Sequence, residues 1–80
     1  MKVEMVQSEW GNEKVSHDYH VTIYKMSDEE SEWYRINIEN TLDGRYARRE
    51  FTGEGARVKA QKEFDGIVYG DKTPLQYAWM

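Results

Sequence analysis

Apolar and polar positions alternate with period two along most of this chain and switch to a helical period from Ala56 onward. Such alternation marks strands with one buried face, because successive side chains on a strand point to opposite sides. Lys2–Trp10 is the least regular of these segments: Val3 and Met5 point one way, Val6 and Trp10 the other. That pattern suits a short strand apolar on both faces or an edge strand carrying a bulge. Gly11-Asn12 supplies turn chemistry, and the run to Ser16 also suits a longer loop. Asp18–Met26 is a cleaner strand, with Tyr19, Val21 and Ile23 on one face and His20, Thr22, Tyr24 and Met26 on the other. After the acidic connection Ser27–Glu32, the segment Trp33–Leu42 alternates Tyr34, Ile36 and Ile38 against Trp33, Arg35, Asn37 and Glu39.

Asp43-Gly44 is the strongest local signal. A two-residue hairpin turn needs positive φ at both central positions, which Asp tolerates and Gly adopts freely. Counting outward from it predicts Leu42 opposite Arg45, Thr41 opposite Tyr46, Glu39 opposite Arg48, and Ile36 opposite Phe51. This register pairs opposite charges on the outer face, worth about 0.2–1 kcal/mol, and puts Ile36 with Phe51 on the core face.

Thr52-Gly53-Glu54-Gly55 ends that strand and opens a helix, with Thr52 or nearby backbone as cap and Glu54 suited to the positive helix end. Ala56, Ala60, Phe64 and Ile67/Val68 form one apolar stripe, with Arg57, Lys59, Lys62, Glu63 and Asp65 directed away from it. Gly66 interrupts the stripe at a cost of about 1 kcal/mol. A helix continuing through it to a stop at Gly70 is favoured, because Ile67 and Val68 complete the stripe. Pro74–Trp79 alternates again and predicts a final strand. The expected fold is α+β: a single small domain over residues 1–80, an antiparallel sheet of four to five strands with one helix packed on one face.

Composition narrows the function. Eighty residues without cysteine must be held by packing alone, and a chain this short buries only roughly 60–65% of its unfolded surface. Cysteine-free composition and the lack of a long apolar run predict a cytoplasmic protein with no membrane partner. Residues 1–44 carry 4 Lys and Arg against 10 Asp and Glu, a net of −6, whereas residues 45–80 carry 7 against 5, a net of +2. An acidic whole repels nucleic acid at long range.

No motif carries catalysis. His17 and His20 would point to opposite faces of a strand and cannot share a metal ion there. Gly53-Glu54-Gly55 sits between a strand and a helix, yet Val58 occupies the place of the third glycine of a dinucleotide loop. Asp28, Glu29, Glu30 and Glu32 lack the spacing and glycine of a calcium loop, and a solvated run does not separate carboxylate pKa values as catalysis requires. The expectation is no enzyme, no cofactor and no metal.

Two clusters remain for a partner. The acidic connection Asp28, Glu29, Glu30 and Glu32 suits a basic surface. The outer sheet face carries Trp33, Arg35, Glu39, Tyr46 and Arg48, and exposed Trp and Tyr are favoured at protein interfaces. With 3 Trp, 6 Tyr and 2 Phe, so small a core cannot hide every ring. In its strands His20-Val21-Thr22-Ile23-Tyr24 and Tyr34-Arg35-Ile36-Asn37-Ile38 and its helix Ala56…Ala60…Phe64, covering roughly residues 17–69, the chain resembles the small acidic proteins that phages use against host machinery, anti-CRISPR proteins among them. The resemblance implies a stoichiometric inhibitor that masks a nucleic-acid-processing or defence complex in the host cytoplasm, and it carries no site residues. Two alternatives stand beside it. Arg45, Tyr46, Arg48 and Arg49 suggest a nucleic-acid-binding module, similar in strand–strand–strand–helix order to integrase arm-binding domains but acidic overall. The surplus of rings also suits a homodimer or a structural homo-oligomer.

Overall fold

The computed structural model describes residues 1–11 and 19–70. The predicted Pro74–Trp79 strand, His17 and Asp18 lie outside the described residues. Four strands, β1 (Lys2–Trp10), β2 (Tyr19–Ser27), β3 (Glu32–Asn40) and β4 (Tyr46–Phe51), precede one helix, α1 (Ala56–Val68). The strands form an antiparallel meander in the order β1-β2-β3-β4. The helix packs on β2, β3 and β4, so the α+β architecture expected from the pattern is the observed one.

The core lies between α1 and one sheet face. Val21 and Ile23 of β2, Ile36 and Ile38 of β3, and Ala47 and Phe51 of β4 meet Ala56, Ala60, Phe64, Ile67 and Val68 of the helix. Full burial of each large side chain here contributes about 1.5–3 kcal/mol. Ala56 and Ala60 let the helix axis approach the sheet closely. Gly66 sits within the helix, which runs on to Val68 and closes with the Tyr69 and Gly70 N–H groups donating to the Asp65 carbonyl at 2.8 and 3.1 Å. Arg49 also faces the helix, where its Nη1 meets the buried Glu63 carboxylate at 3.4 Å and its guanidinium lies 5.2 Å from the Phe51 ring centre.

Three local expectations are corrected: the hairpin turn, the helix cap, and Glu63, which is buried and not directed away from the apolar stripe. The Asp43-Gly44 hairpin is not a two-residue turn. Asn40 N–H donates to the Arg45 carbonyl at 2.8 Å and Gly44 N–H to the Asn40 carbonyl at 2.9 Å, which leaves residues 41–44 as the loop. The Asn40 and Asp43 side chains accept from the N–H groups of Leu42 (3.0 Å) and Arg45 (2.9 Å), and Gly44 takes φ +74°. These side-chain bonds favour the longer turn. The register slides by two residues, so Ile38 opposes Ala47, Asn37 opposes Arg48, Arg35 opposes Glu50 and Tyr34 opposes Phe51. An even slide keeps every side chain on its predicted face. The cross-strand ion pair therefore becomes Arg35–Glu50 instead of Glu39–Arg48.

The helix cap differs as well. Gly55 is the N-cap at φ +76°, and no side chain, Thr52 included, bonds the first turn. Its carbonyl accepts from Lys59 N–H at 3.0 Å. A left-handed glycine turns the chain sharply back over the sheet, where a β-carbon would be strained, and Glu54 precedes the helix without entering its first turn. At the sheet edge, β1 is the bulged edge strand that its pattern suits, with a register shift between Met5 and Gln7. The extra residue, Val6, reverses the alternation. Val3 and Met5 oppose Met26 and Tyr24, and Trp10 opposes His20, so all three share one face although their spacing alone would separate Trp10 from the others.

Ile38→Val should lower stability by about 0.5–1.5 kcal/mol without changing the denaturant dependence. Urea unfolding followed by circular dichroism checks this, and an unchanged midpoint would contradict the burial of Ile38 beneath the helix. Gly55→Ala should destabilise the helix start through its positive φ, while Ala in place of the helical Gly66 should stabilise by up to about 1 kcal/mol.

Candidate functional site on the open sheet face

The sheet face opposite α1 is built from rows of residues that cross the strands. Trp10, His20, Glu39 and Tyr46 form one row; Ser8, Thr22, Asn37 and Arg48 the next; Met5, Tyr24, Arg35 and Glu50 the third. At the far end Val3, Met26 and Trp33 align, and Met26 is buried there beside the half-buried Trp33. The middle row is small on β1, β2 and β3 and is flanked by large side chains. The result is a concavity of about 500 Å³ lined by Ser8, His20, Thr22, Tyr24, Asn37, Glu39 and Tyr46, among others.

Its floor is polar and mostly satisfied. Ser8 Oγ lies 2.7 Å from His20 Nε2 and 3.1 Å from Thr22 Oγ1. The Trp10 and His20 rings sit 4.9 Å apart at 46°. Asn37 Oδ1 is the exception, buried with no hydrogen-bond partner. Tyr46 of the lining is 49% exposed, and Trp10, beside His20 at the end of its row, is 55% exposed. Glu39 has no ion-pair partner among the described residues, whereas Arg35 is neutralised by Glu50 through Nε at 2.9 Å and through Nη2.

The residues singled out from the sequence fall into two places. Trp33, Arg35, Glu39, Tyr46 and Arg48 lie on the open face. Asp28, Glu29 and Glu30 form the tip of the β2–β3 hairpin at one end of the sheet. Glu32 is turned to the helix side, 3.6 Å from Lys25 Nζ, and so is separated from Trp33. The basic residues of the nucleic-acid alternative are dispersed. Arg48 is on the open face, Arg49 on the helix face and Arg45 beside the turn. Ser8, Trp10, His20, Thr22, Tyr24 and Asn37 complete the face. The β2 alternation signals three of them and the β3 alternation signals Asn37, but β1's share depends on its bulge.

The acidic tip is ordered by its own first residue. Asp28 Oδ1 accepts from the N–H groups of Glu30 and Ser31, both at 2.9 Å, and from Ser31 Oγ at 3.2 Å, while Asp28 N–H donates to the Ser31 carbonyl at 3.0 Å. The Glu30 and then the Ser31 backbone N–H hold the Asp28 carboxyl below its ordinary range, with smaller help from the Ser31 hydroxyl and the chain's amino terminus. Glu29 and Glu30 are left exposed at the tip.

Among the described residues no group of three His, Asp or Glu side chains gathers as metal ligands, and no helix is long and apolar enough to cross a membrane. Comparison of the chain with protein-family models, curated proteins and solved structures gives no match.

Because folding lowers the Asp28 pKa, its contribution to the hairpin is fully present above about pH 4 and is lost as the pH falls through the lowered value. Asp28→Ala should broaden or shift the amide resonances of Glu30 and Ser31 and leave those of Ile36 and Ile38 unmoved. A carboxyl titration by NMR with a midpoint at or above the ordinary aspartate value would refute this account of the tip.

Proposed function

We propose that this chain is a small acidic protein-binding module, acting as a stoichiometric inhibitor that covers a basic working surface of a host nucleic-acid-processing or defence complex. One observation carries the reading. Among the described residues a single helix covers one sheet face, and the other face exposes Trp10, Tyr46, Met5 and Val3 to 55%, 49%, 67% and 51%. Aromatic rings held on a rigid sheet present large contact area at low entropic cost. The hairpin tip adds Asp28, Glu29 and Glu30 at the edge of that face, where they would meet cations that otherwise serve nucleic acid. Paired strands hold both surfaces, so the partner meets them preorganised.

The nucleic-acid reading has less support. Arg48 is the open-face cation without an ion pair among the described residues, Arg35 being bound to Glu50. Among the described residues, one open-face cation without an ion pair, beside the carboxylate of Glu39, contributes little counterion release. A homo-oligomeric structural role remains the third reading, and light scattering on the purified protein measures it directly.

Affinity capture from a lysate of the native host tests the proposal. Wild-type bait should retain a partner that a Trp10→Ala/Tyr46→Ala double variant loses, with a fall in affinity of about thirty-fold or more, the ~2 kcal/mol of an aromatic hot spot. Circular dichroism would verify that the variant keeps its fold. No protein retained above a control bait would count against a binding function. Salt-sensitive binding of mixed DNA or RNA, abolished by Arg48→Ala, would replace it with the nucleic-acid reading.

A further inference from the structure

The open-face concavity has a chemical signature of its own. Ser8 and Thr22 satisfy one another and His20 on its floor, but Asn37 Oδ1 is buried there without a donor. A buried acceptor left unpaired is destabilising, and a ligand bringing an N–H group relieves it. Glu39, opposite His20 on β2 and Tyr46 on β4, adds a carboxylate with no ion-pair partner among the described residues. Among the described residues no Lys or Arg lines the concavity, Arg48 lying outside it opposite Asn37. Tyr24 and Tyr46 are its tyrosine rings.

An unpaired buried acceptor, an unpaired carboxylate and two electron-rich rings together select a flat cation with several N–H donors. Ammonium ions are compact, strongly hydrated point charges, whereas guanidinium is planar, weakly hydrated, stacks on aromatic faces and presents donors in a fixed fork. A volume of about 500 Å³ falls within the ~300–1,000 Å³ usual for small-ligand sites and accommodates the end of one side chain. We infer that the concavity between Tyr24, Asn37, Glu39 and Tyr46 is a receptor for an arginine side chain presented by the protein partner. This rests on the protein-binding reading and deepens it: the target surface would contribute an arginine, and occupying it would deny that arginine to nucleic acid.

The test uses N-acetyl-arginine amide as a probe, titrated into the isotope-labelled full chain and followed by NMR. Saturable shifts should cluster at Ser8, Thr22, Asn37, Glu39 and Tyr46, with millimolar affinity as expected for a single side chain. The lysine and citrulline counterparts, which lack the planar cation, should bind at least tenfold more weakly. Glu39→Gln, at an exposed position, should weaken arginine binding about tenfold with an unchanged melting temperature, and Asn37→Ala should weaken it as well. Absence of saturable shifts, shifts indifferent to both variants, or preferential saturation of these resonances by a nucleoside monophosphate would each overturn the assignment. A captured protein partner whose affinity is unaltered by Glu39→Gln would overturn it too, while leaving the protein-binding reading intact. Saturable arginine binding without any captured partner would sustain the pocket's chemistry and overturn the protein-binding reading instead.

Discussion

The seating of one helix on one sheet face governs the rest of the molecule. Phe64 and Ile67 of α1 are fully buried against Val21, Ile23, Ile36 and Ile38, and in a chain without cysteine this contact is the main source of cohesion. A helix about 10 Å across covers two or three strands spaced ~4.8 Å apart. The structure follows that arithmetic. α1 packs on β2, β3 and β4, while β1 reaches it chiefly through polar contact, Gln61 Nε2 donating to Gln7 Oε1 at 3.2 Å. One helix cannot cover both sides of a sheet, so among the described residues the face opposite α1 has no element packed over it.

Apart from the buried Met26, the face opposite α1 is stabilised by polar and aromatic contacts. Its rows carry a hydroxyl–imidazole network through Ser8, an aromatic contact between Trp10 and His20, and the Arg35–Glu50 ion pair. These interactions are individually modest, since partly exposed pairs contribute about 0–1 kcal/mol. Together they fix the side chains around a depression whose floor is short and whose rim is aromatic. Most of the packing and the candidate site therefore lie on opposite sides of the same sheet.

Much of this was legible from the residues. Period-two alternation located the strands, the Ala56–Ala60–Phe64 stripe located the helix, and the outer-face positions of Arg35, Glu39 and Tyr46 followed from parity. The hairpin register was not legible, because Asp43-Gly44 satisfies a two-residue turn as well as it satisfies the longer loop. The side-chain bonds of Asn40 and Asp43 decide between them. The cap was missed for a similar reason: Thr52 has suitable chemistry, but the chain turns at Gly55 instead. Arg48 and Arg49 look like one basic patch in sequence and are divided between the two faces by the pleat.

The residues alone settle which side chains share a face within β2, β3 and β4, because side-chain direction follows from backbone periodicity over a few residues. They also settle the strand–strand–strand–strand–helix order and the acidity of the β2–β3 tip. Only the tertiary structure decided which residues meet across strands. The bulge at Val6 brings Trp10 to the side of Met5, and the two-residue slide of the hairpin sets Asn37 beside Arg48 and Arg35 beside Glu50. Register and bulges are settled by pairing between distant segments, where a shift of one or two residues changes every neighbour while leaving local preferences almost untouched. The concavity is such a product: its residues are ordinary in sequence and become a site only once three hairpin-linked strands and their neighbour at the edge are aligned.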